Sequence, residues 1–253
     1  MPDIRAMLRK MPGFRAARFV YHLVPSVESR NATLLLLHPP AGLYQPYGTT
    51  SNDRYPEIFQ QVREQIGDGA DRRILSFGCA TGEEVFTLRR YFAQATIVGL
   101  DINPYNISVC RSRLRKTKDT KIVFSVAGSA ANEASASYDA IFAMAVFRHG
   151  DLNKIPPPST CRHRIQFADF EQSVHDLARC LKPGGRVVTI DPAWTTPQNW
   201  IARLIIQNDR GRHVRAPDGY EKLARGAFGH IRSEVRTDLL RLPYTHVILE
   251  CSI

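Results

Sequence analysis

The sequence predicts a doubly wound α/β fold around a mostly parallel sheet, and three observations carry that expectation. Apolar, partly β-branched runs of strand length recur along the 253-residue chain with helical patterns between them, the order that builds βαβ units. A glycine-rich turn, Gly78-Cys79-Ala80-Thr81-Gly82, joins the first of these runs to a helical pattern. The second run ends in an acidic residue, Asp101, on the edge where open α/β sheets meet their ligands.

The elements follow in order. Residues 55 to 67 place Ile58, Phe59, Val62 and Ile66 on one face, a helical spacing. Ile74, Leu75 and Phe77 suit a buried first strand, and Val85, Phe86 and Leu88 mark the apolar side of the helix after the turn. Ala95 to Leu100 reads as the second strand, Lys121 to Val126 as the third and Tyr138 to Val146 as the fourth. A helix over about Phe167 to Cys180 runs into Leu181-Lys182-Pro183-Gly184-Gly185 and a fifth strand, Arg186 to Asp191. Arg236 to Leu240 and His246 to Cys251 are expected as a terminal pair of strands. Residues 1 to 50 form an N-terminal extension that contributes to substrate cover, ahead of one domain over 51 to 253. Insertions are expected around Pro156-Pro157-Pro158 and over residues 192 to 230.

The turn is also the first candidate site. A strand, a small-residue turn and a helix leave free backbone N–H groups at a helix N-terminus, where a ligand can approach the main chain. Small residues at 78, 80 and 82 keep side-chain bulk out of that approach. Asp101 lies about 20 residues past Gly82, the spacing of a carboxylate that accepts the ribose hydroxyls of an adenosine cofactor.

The runs SFGCATG, GLDIN, YDAIFAMAV and LARCLKPGGRVV together resemble the class I S-adenosylmethionine-dependent methyltransferases over roughly residues 55 to 253. A dinucleotide-binding dehydrogenase would show G-x-G-x-x-G, whereas the small residues here have the spacing of methyltransferases. The resemblance implies a Rossmann-like, mostly parallel seven-stranded sheet with an antiparallel last strand, and S-adenosylmethionine as cofactor. It assigns Gly78, Cys79, Ala80, Gly82 and Glu83 (or Glu84) to the methionine end. Asp101 and Ile102 fall to the ribose side, Ser129 to the adenine amine, and Ala145 offers backbone carbonyls beside the sulfonium. Ser76 departs from the family, which often carries an acidic residue there, and this shifts the ammonium-binding duty to its neighbours. The first motif is similar to that of chemotaxis-receptor glutamate methyltransferases, but Ala143 to His149 does not match their segment after the fourth strand.

A sulfonium is already a strong methyl donor, so the protein mainly aligns an acceptor. An alcohol acceptor also loses a proton, and His149, just past strand four, is the candidate base. His213 and His246 are lesser candidates, His246 with a structural part at a strand's start.

The net charge of +10 raises nucleic acid as a partner. Arg111, Arg113, Arg115, Lys116, Lys118 and Lys121 read as a solvated face. Arg203, Arg210, Arg212 and Arg215 lie in the late insertion and suit an anionic acceptor or an acidic sugar. Asp191-Pro192-Ala193-Trp194 stands after the wrong strand for the motif of adenine amino-group methyltransferases. A small-molecule acceptor is therefore expected over nucleic acid, most simply a hydroxyl of a carbohydrate or specialised metabolite. An RNA or protein methyltransferase and a non-catalytic S-adenosylmethionine-binding protein are the alternatives. Five scattered cysteines show neither a disulfide nor a metal pattern, and no metal site is expected. No apolar run approaches membrane-spanning length, which points away from a membrane and to the cytoplasm. A homodimer is compatible with the sequence.

Overall fold

The computed structural model describes residues 27–37, 40, 42–44, 48, 51–147, 167–207, 214–240 and 242–253. The chain divides into two compact units, Met1–Pro39 and Pro40–Ile253. Within the first, Val27–Leu37 forms helix α1. The second carries α2 (Pro56–Ile66), β1 (Arg73–Phe77), α3 (Glu83–Tyr91), β2 (Thr96–Asp101), α4 (Pro104–Thr117), β3 (Ile122–Val126) and β4 (Tyr138–Met144). It continues with α5 (Phe167–Cys180), β5 (Leu181–Pro192), α6 (Trp200–Gln207), α7 (Pro217–Ala224), β6 (His230–Arg236) and β7 (His246–Ser252).

The seven strands form one sheet in the order β3-β2-β1-β4-β5-β7-β6. Strands β1 to β5 pair in parallel, and β7 runs antiparallel to both β5 and β6. This is the doubly wound, mostly parallel architecture expected from the alternation of runs. Parallel strands covered on both faces read as continuous apolar runs, and β1 and β4 are buried almost end to end. Two large clusters cover the faces. One gathers Leu75, Phe77, Ile141, Leu177 and Leu249. The other joins Ile58, Phe59 and Val62 of α2 to Ile74, Leu88, Ile97 and Phe142.

Chain order reverses between β1 and β4, so the connections after β1 and β4 leave the sheet in opposite directions. Ligands of such sheets bind in the crevice this opens at the carboxyl ends of the strands.

Three expected boundaries shift. The sixth strand is His230–Arg236 rather than Arg236 to Leu240. It is a half-exposed, charged edge strand with little apolar signal, whereas Leu239 and Leu240 pack on the second cluster from a connection. Strand β5 begins at Leu181, before the Pro-Gly-Gly turn, because Tyr138 pairs with Leu181 and the next pair is Ala140 with Arg186. The turn is thus a bulge carried within the strand. Strand β4 stops at Met144 because Ala145 takes φ 57°.

At the amino end of the parallel strands, the Asp139 carboxylate ties three elements together. It accepts from Arg72 Nη1 (2.8 Å), Arg73 N (2.9 Å) and Lys182 Nζ (2.7 Å). Burial pushes its pKa up, but the bonds from Lys182, the Arg73 amide and Arg72 outweigh that and hold it below the ordinary value. Stability from a depressed carboxylate is present above its ordinary pKa and lost as pH falls through the folded one. Asp139→Asn should therefore destabilise the protein by about 2 kcal/mol at pH 7, and the deficit should shrink below pH 4. Urea midpoints at pH 7 and pH 3.5 check this, and an equal deficit at both would remove the charge from the explanation.

Candidate active site

The turn after β1 is built from three left-handed residues. Gly78, Ala80 and Gly82 have φ of 74°, 49° and 89°, a region that most side chains avoid. At Gly78 a Cβ would sit 2.6 Å from Val146 Cγ2, so the chain just past β4 closes on this loop. The amides of Gly78 and Cys79 both donate to Leu100 O, at 2.8 and 2.9 Å, which hangs the loop from the end of β2. Gly82 N donates to Cys79 O (2.9 Å), and Gly82 caps α3. Gly78 is exposed while Cys79 and Ala80 are buried, so the backbone at Gly78 faces the crevice.

Asp101 brackets this loop to the next. Its Oδ2 accepts from Ala80 N (2.9 Å), and its Oδ1 accepts from Asn103 N (2.8 Å) and Asn106 Nδ2 (3.0 Å). A carboxylate offers about four lone-pair sites, so these bonds leave about one, on Oδ2, for a further donor. Burial raises the Asp101 pKa against the opposing pull of the same donors. Asn103 also caps α4 by accepting from Tyr105 N (3.0 Å), and Ile102 beside it is half-buried. Gly48 comes close to Ala80 and Asn106, and Gly42 to Gly128.

The two glutamates of the turn part company. Glu83 accepts from Arg113 Nη1 (2.7 Å) and Thr81 Oγ1 (2.6 Å), on the flank of α4. Glu84 turns inward, where Ser76 Oγ donates to it at 2.7 Å from β1. The acidic group absent from strand position 76 is thus supplied from the helix, over the same spot. Burial raises the Glu84 pKa to about 7, against the Ser76 bond and the charge of Arg54. Arg113 does more than the solvated face expected of it, since it also donates to Thr81 O (2.8 Å) and stacks on Phe86. Under the loop, Cys110 Sγ donates to Ala80 O (3.3 Å). Its contact with Cys79, together with burial, pushes the Cys79 thiol well up.

Ser129 Oγ accepts from Ala131 N (3.3 Å), the bond of a turn serine. Ala145 N donates to Ile190 O (3.0 Å), which fixes the end of β4 against β5. An aromatic wall rises beside it: Phe147 packs on Tyr44 (5.4 Å between centroids) and on Phe77 (5.8 Å). Tyr44 is held by its hydroxyl, which donates to Ser173 Oγ at 2.6 Å. Tyr44 and Asn106 escaped the sequence reading. The only trace of Asn106 was its place one turn into a helix that opens Asn-Pro. His149 and His213 lie outside the described residues. His246 is buried at the carboxyl end of β5, paired with Pro192 and edge-on to Tyr55. Trp200 is exposed. Among the described residues no group of three or more His, Cys, Asp or Glu could hold a metal ion.

A family model described as a methyltransferase domain matches residues 68–220. The chain belongs to this family. Its sheet order and motifs are those of the class I enzymes, for which S-adenosylmethionine is the methyl donor. Methyltransferase GfsG of Streptomyces halstedii is 25% identical over 174 residues, covering 66% of this chain and 56% of that protein, so the chain spans little more than half of this relative. Geranyl diphosphate C-methyltransferase from Streptomyces coelicolor A3(2) shares the fold at a TM-score of 0.54 and 14% identity, over 78% of each chain. A Haemonchus contortus phosphoethanolamine N-methyltransferase does so at 0.55 and 16%, over 83% of this chain and 44% of that one. Among the described residues no helix is long and apolar enough to cross a membrane.

The site fits the methyltransferase cofactor on its own chemistry. Gly78 is an exposed, left-handed backbone, Asp101 keeps an acceptor position, and Glu84 is a half-buried carboxylate with no cation in hydrogen-bond contact among the described residues, a set that would suit the cofactor's polar groups. Gly78→Ala should cost about 1–2 kcal/mol for the left-handed alanine and displace the Val146 side chain, weakening S-adenosylhomocysteine binding. Adding Val146→Ala should recover the part due to the clash. Calorimetry showing no recovery in the double variant would mean that the clash contributes nothing.

Proposed function

We propose that the protein transfers a methyl group from S-adenosylmethionine to a small-molecule acceptor, with a hydroxyl of a carbohydrate or specialised metabolite as the acceptor class. The observation that carries the reading is the bracket at the switch point, where three left-handed small residues and Asp101 form one unit beside the half-buried Glu84 carboxylate. A fold-sharing pair of a C- and an N-methyltransferase supports small acceptors in general, and the hydroxyl assignment rests on the candidate base.

Bound S-adenosylmethionine supplies an electrophilic methyl whose bond to sulfur breaks with its electrons left on sulfur as a new bond to the acceptor forms. The residues of this chain do the positioning. Glu84, ionised, holds the ammonium and fixes the methionine chain along the Gly78 backbone. Asp101 takes a ribose hydroxyl, with the other hydroxyl left to neighbouring groups. Ala145 and the wall of Phe147 and Tyr44 line the approach beside the methyl and exclude water from it. His149 takes the acceptor's proton. His149→Ala should then lower turnover roughly 10²–10⁴-fold with little change in cofactor affinity, and near-normal turnover would exclude it as the base.

Glu84 makes the cofactor reading testable through pH. A carboxylate with a raised pKa favours the protonated native state, so without cofactor the protein loses stability as pH rises from about 4.5 to about 7. The ammonium needs the ionised form, so S-adenosylhomocysteine affinity should rise from pH 6 to pH 8, with proton release on binding near pH 6.5. Glu84→Gln should flatten both trends, weaken binding roughly tenfold or more at pH 8, and stabilise the free protein there. Calorimetry in buffers of differing ionisation heat reads the protons. A pH-independent affinity in the wild type would place the ammonium elsewhere.

A further inference from the structure

Beyond the cofactor loop, one buried cation stands without hydrogen bonds at its working end. Arg215 is 7% exposed, and neither Nη1 nor Nη2 has a hydrogen-bond partner among the described residues. A buried cation whose terminal nitrogens make no hydrogen bond is costly even with the Asp191 carboxylate acting on it, so its retention calls for a reason. The surroundings hold it firmly in place. Arg215 N donates to the Tyr220 hydroxyl (3.3 Å), and that hydroxyl in turn donates to Pro192 O (2.8 Å). Arg215 O accepts from Trp194 N (2.9 Å), and Arg215 forms a bridge with Ala193. Its guanidinium carbon lies 5.5 Å from the Tyr220 ring centroid. The backbone of the residue is thus fastened while Nη1 and Nη2 are buried without a hydrogen bond among the described residues.

Its place in the fold is informative. Pro192 and Ala193 mark the carboxyl end of β5, the strand next to β4, and Ala145 bonds to β5 at Ile190. Neighbouring strands are about 5 Å apart, so Arg215 stands beside the carboxyl end of β5, one strand away from the end of β4. Tyr220, under the guanidinium, belongs to the same buried cluster as Tyr44, Phe77, Val146 and Phe147. Burial lowers the pKa of Arg215, while Tyr220 and Asp191 act in the opposite direction and help keep it charged.

We propose that Arg215 anchors an anionic group, a carboxylate or phosphate, carried by the methyl acceptor. Two free terminal nitrogens in one plane match two oxygens of such a group, a pairing that a lysine cannot reproduce. The proposal rests on the small-molecule methyltransferase reading, because it places the anion on the substrate of that site. It also names what selects the acceptor: an apolar wall beside the methyl and a fixed positive fork past β5. The cofactor's own carboxylate is the other source of the same chemistry, and the test separates the two.

The probes are inorganic phosphate and acetate, added to wild type, Arg215→Met and Arg215→Lys that are saturated with S-adenosylhomocysteine. Phosphate or acetate should raise the melting temperature of the wild type in a saturable way. Arg215→Met should weaken that response roughly 10- to 100-fold, and Arg215→Lys should fall between. S-adenosylhomocysteine affinity should stay within about twofold in all three proteins, since only the acceptor's anchor is altered. Free Arg215→Met should melt no lower than wild type, because it loses a buried charge that makes no hydrogen bond at its terminal nitrogens. No anion response in the wild type, or an undiminished one in either variant, overturns the proposal. So does a marked fall in the stability of Arg215→Met, which would make the cation structural. Loss of S-adenosylhomocysteine affinity in Arg215→Met assigns the fork to the cofactor carboxylate and equally overturns it. Wild type that binds phosphate through Arg215 but binds no S-adenosylhomocysteine fails the methyltransferase reading instead and leaves the anion site standing.

Discussion

The Asp101 carboxylate is the constraint on which the site depends. One side chain at the end of β2 takes the Ala80 amide from the first loop, the Asn103 amide from the second and the Asn106 side chain from α4. Those amides would otherwise be orphaned near a buried edge, where an unmade hydrogen bond costs more than a made one gains. Satisfying them with a single anion forces the two loops to a common geometry. The left-handed φ of Ala80 is tolerable only because this bond over-determines it. Asp101 therefore ties the two loops together by itself, and about one acceptor position on Oδ2 is what remains.

A division of labour between the two sheet edges follows. At the amino end, Asp139 is surrounded by Arg72, Lys182 and the Arg73 amide, a satisfied network with a depressed pKa. At the carboxyl end, Glu84 and Asp101 have raised pKa values because burial outweighs their partners. Carboxylates of the same protein thus shift in opposite directions according to whether cations or only neutral donors answer their charge. Under-paired charge gathers where ligands bind in such folds, and Arg215 extends the pattern with the opposite sign.

Ser76 shows how a departure from a family pattern can conserve its physics. Placing a small hydroxyl on β1 makes room for Glu84 to reach across from the first turn of α3, and the hydroxyl then donates to it. The negative charge stays near the loop but arrives from a helix, where neighbouring dipoles also favour it. Glu83, adjacent in sequence, is turned by the helix through about 100° and spends its charge on Arg113. Adjacent glutamates in a sequence are equivalent as letters and different as groups.

Local chemistry was legible in the sequence because it depends on near neighbours. The continuous apolar runs of β1, β2 and β4, the small residues at 78, 80 and 82, and the acid ending β2 follow from strand burial and turn sterics, which a short window records. The charged edge strand β6 was not legible, because half-exposed residues carry no periodic signal. Long-range pairing decided the rest. Which glutamate turns inward, that Asn106 supports Asp101, that Tyr44 stands on Phe147, and that Arg215 is sealed beside Tyr220 all depend on packing between segments tens of residues apart. Sequence determined that this chain builds a sheet with a small-residue loop at its switch point. Only tertiary structure decided which charges there are satisfied, because desolvation and hydrogen bonding belong to the folded neighbourhood and not to the residue.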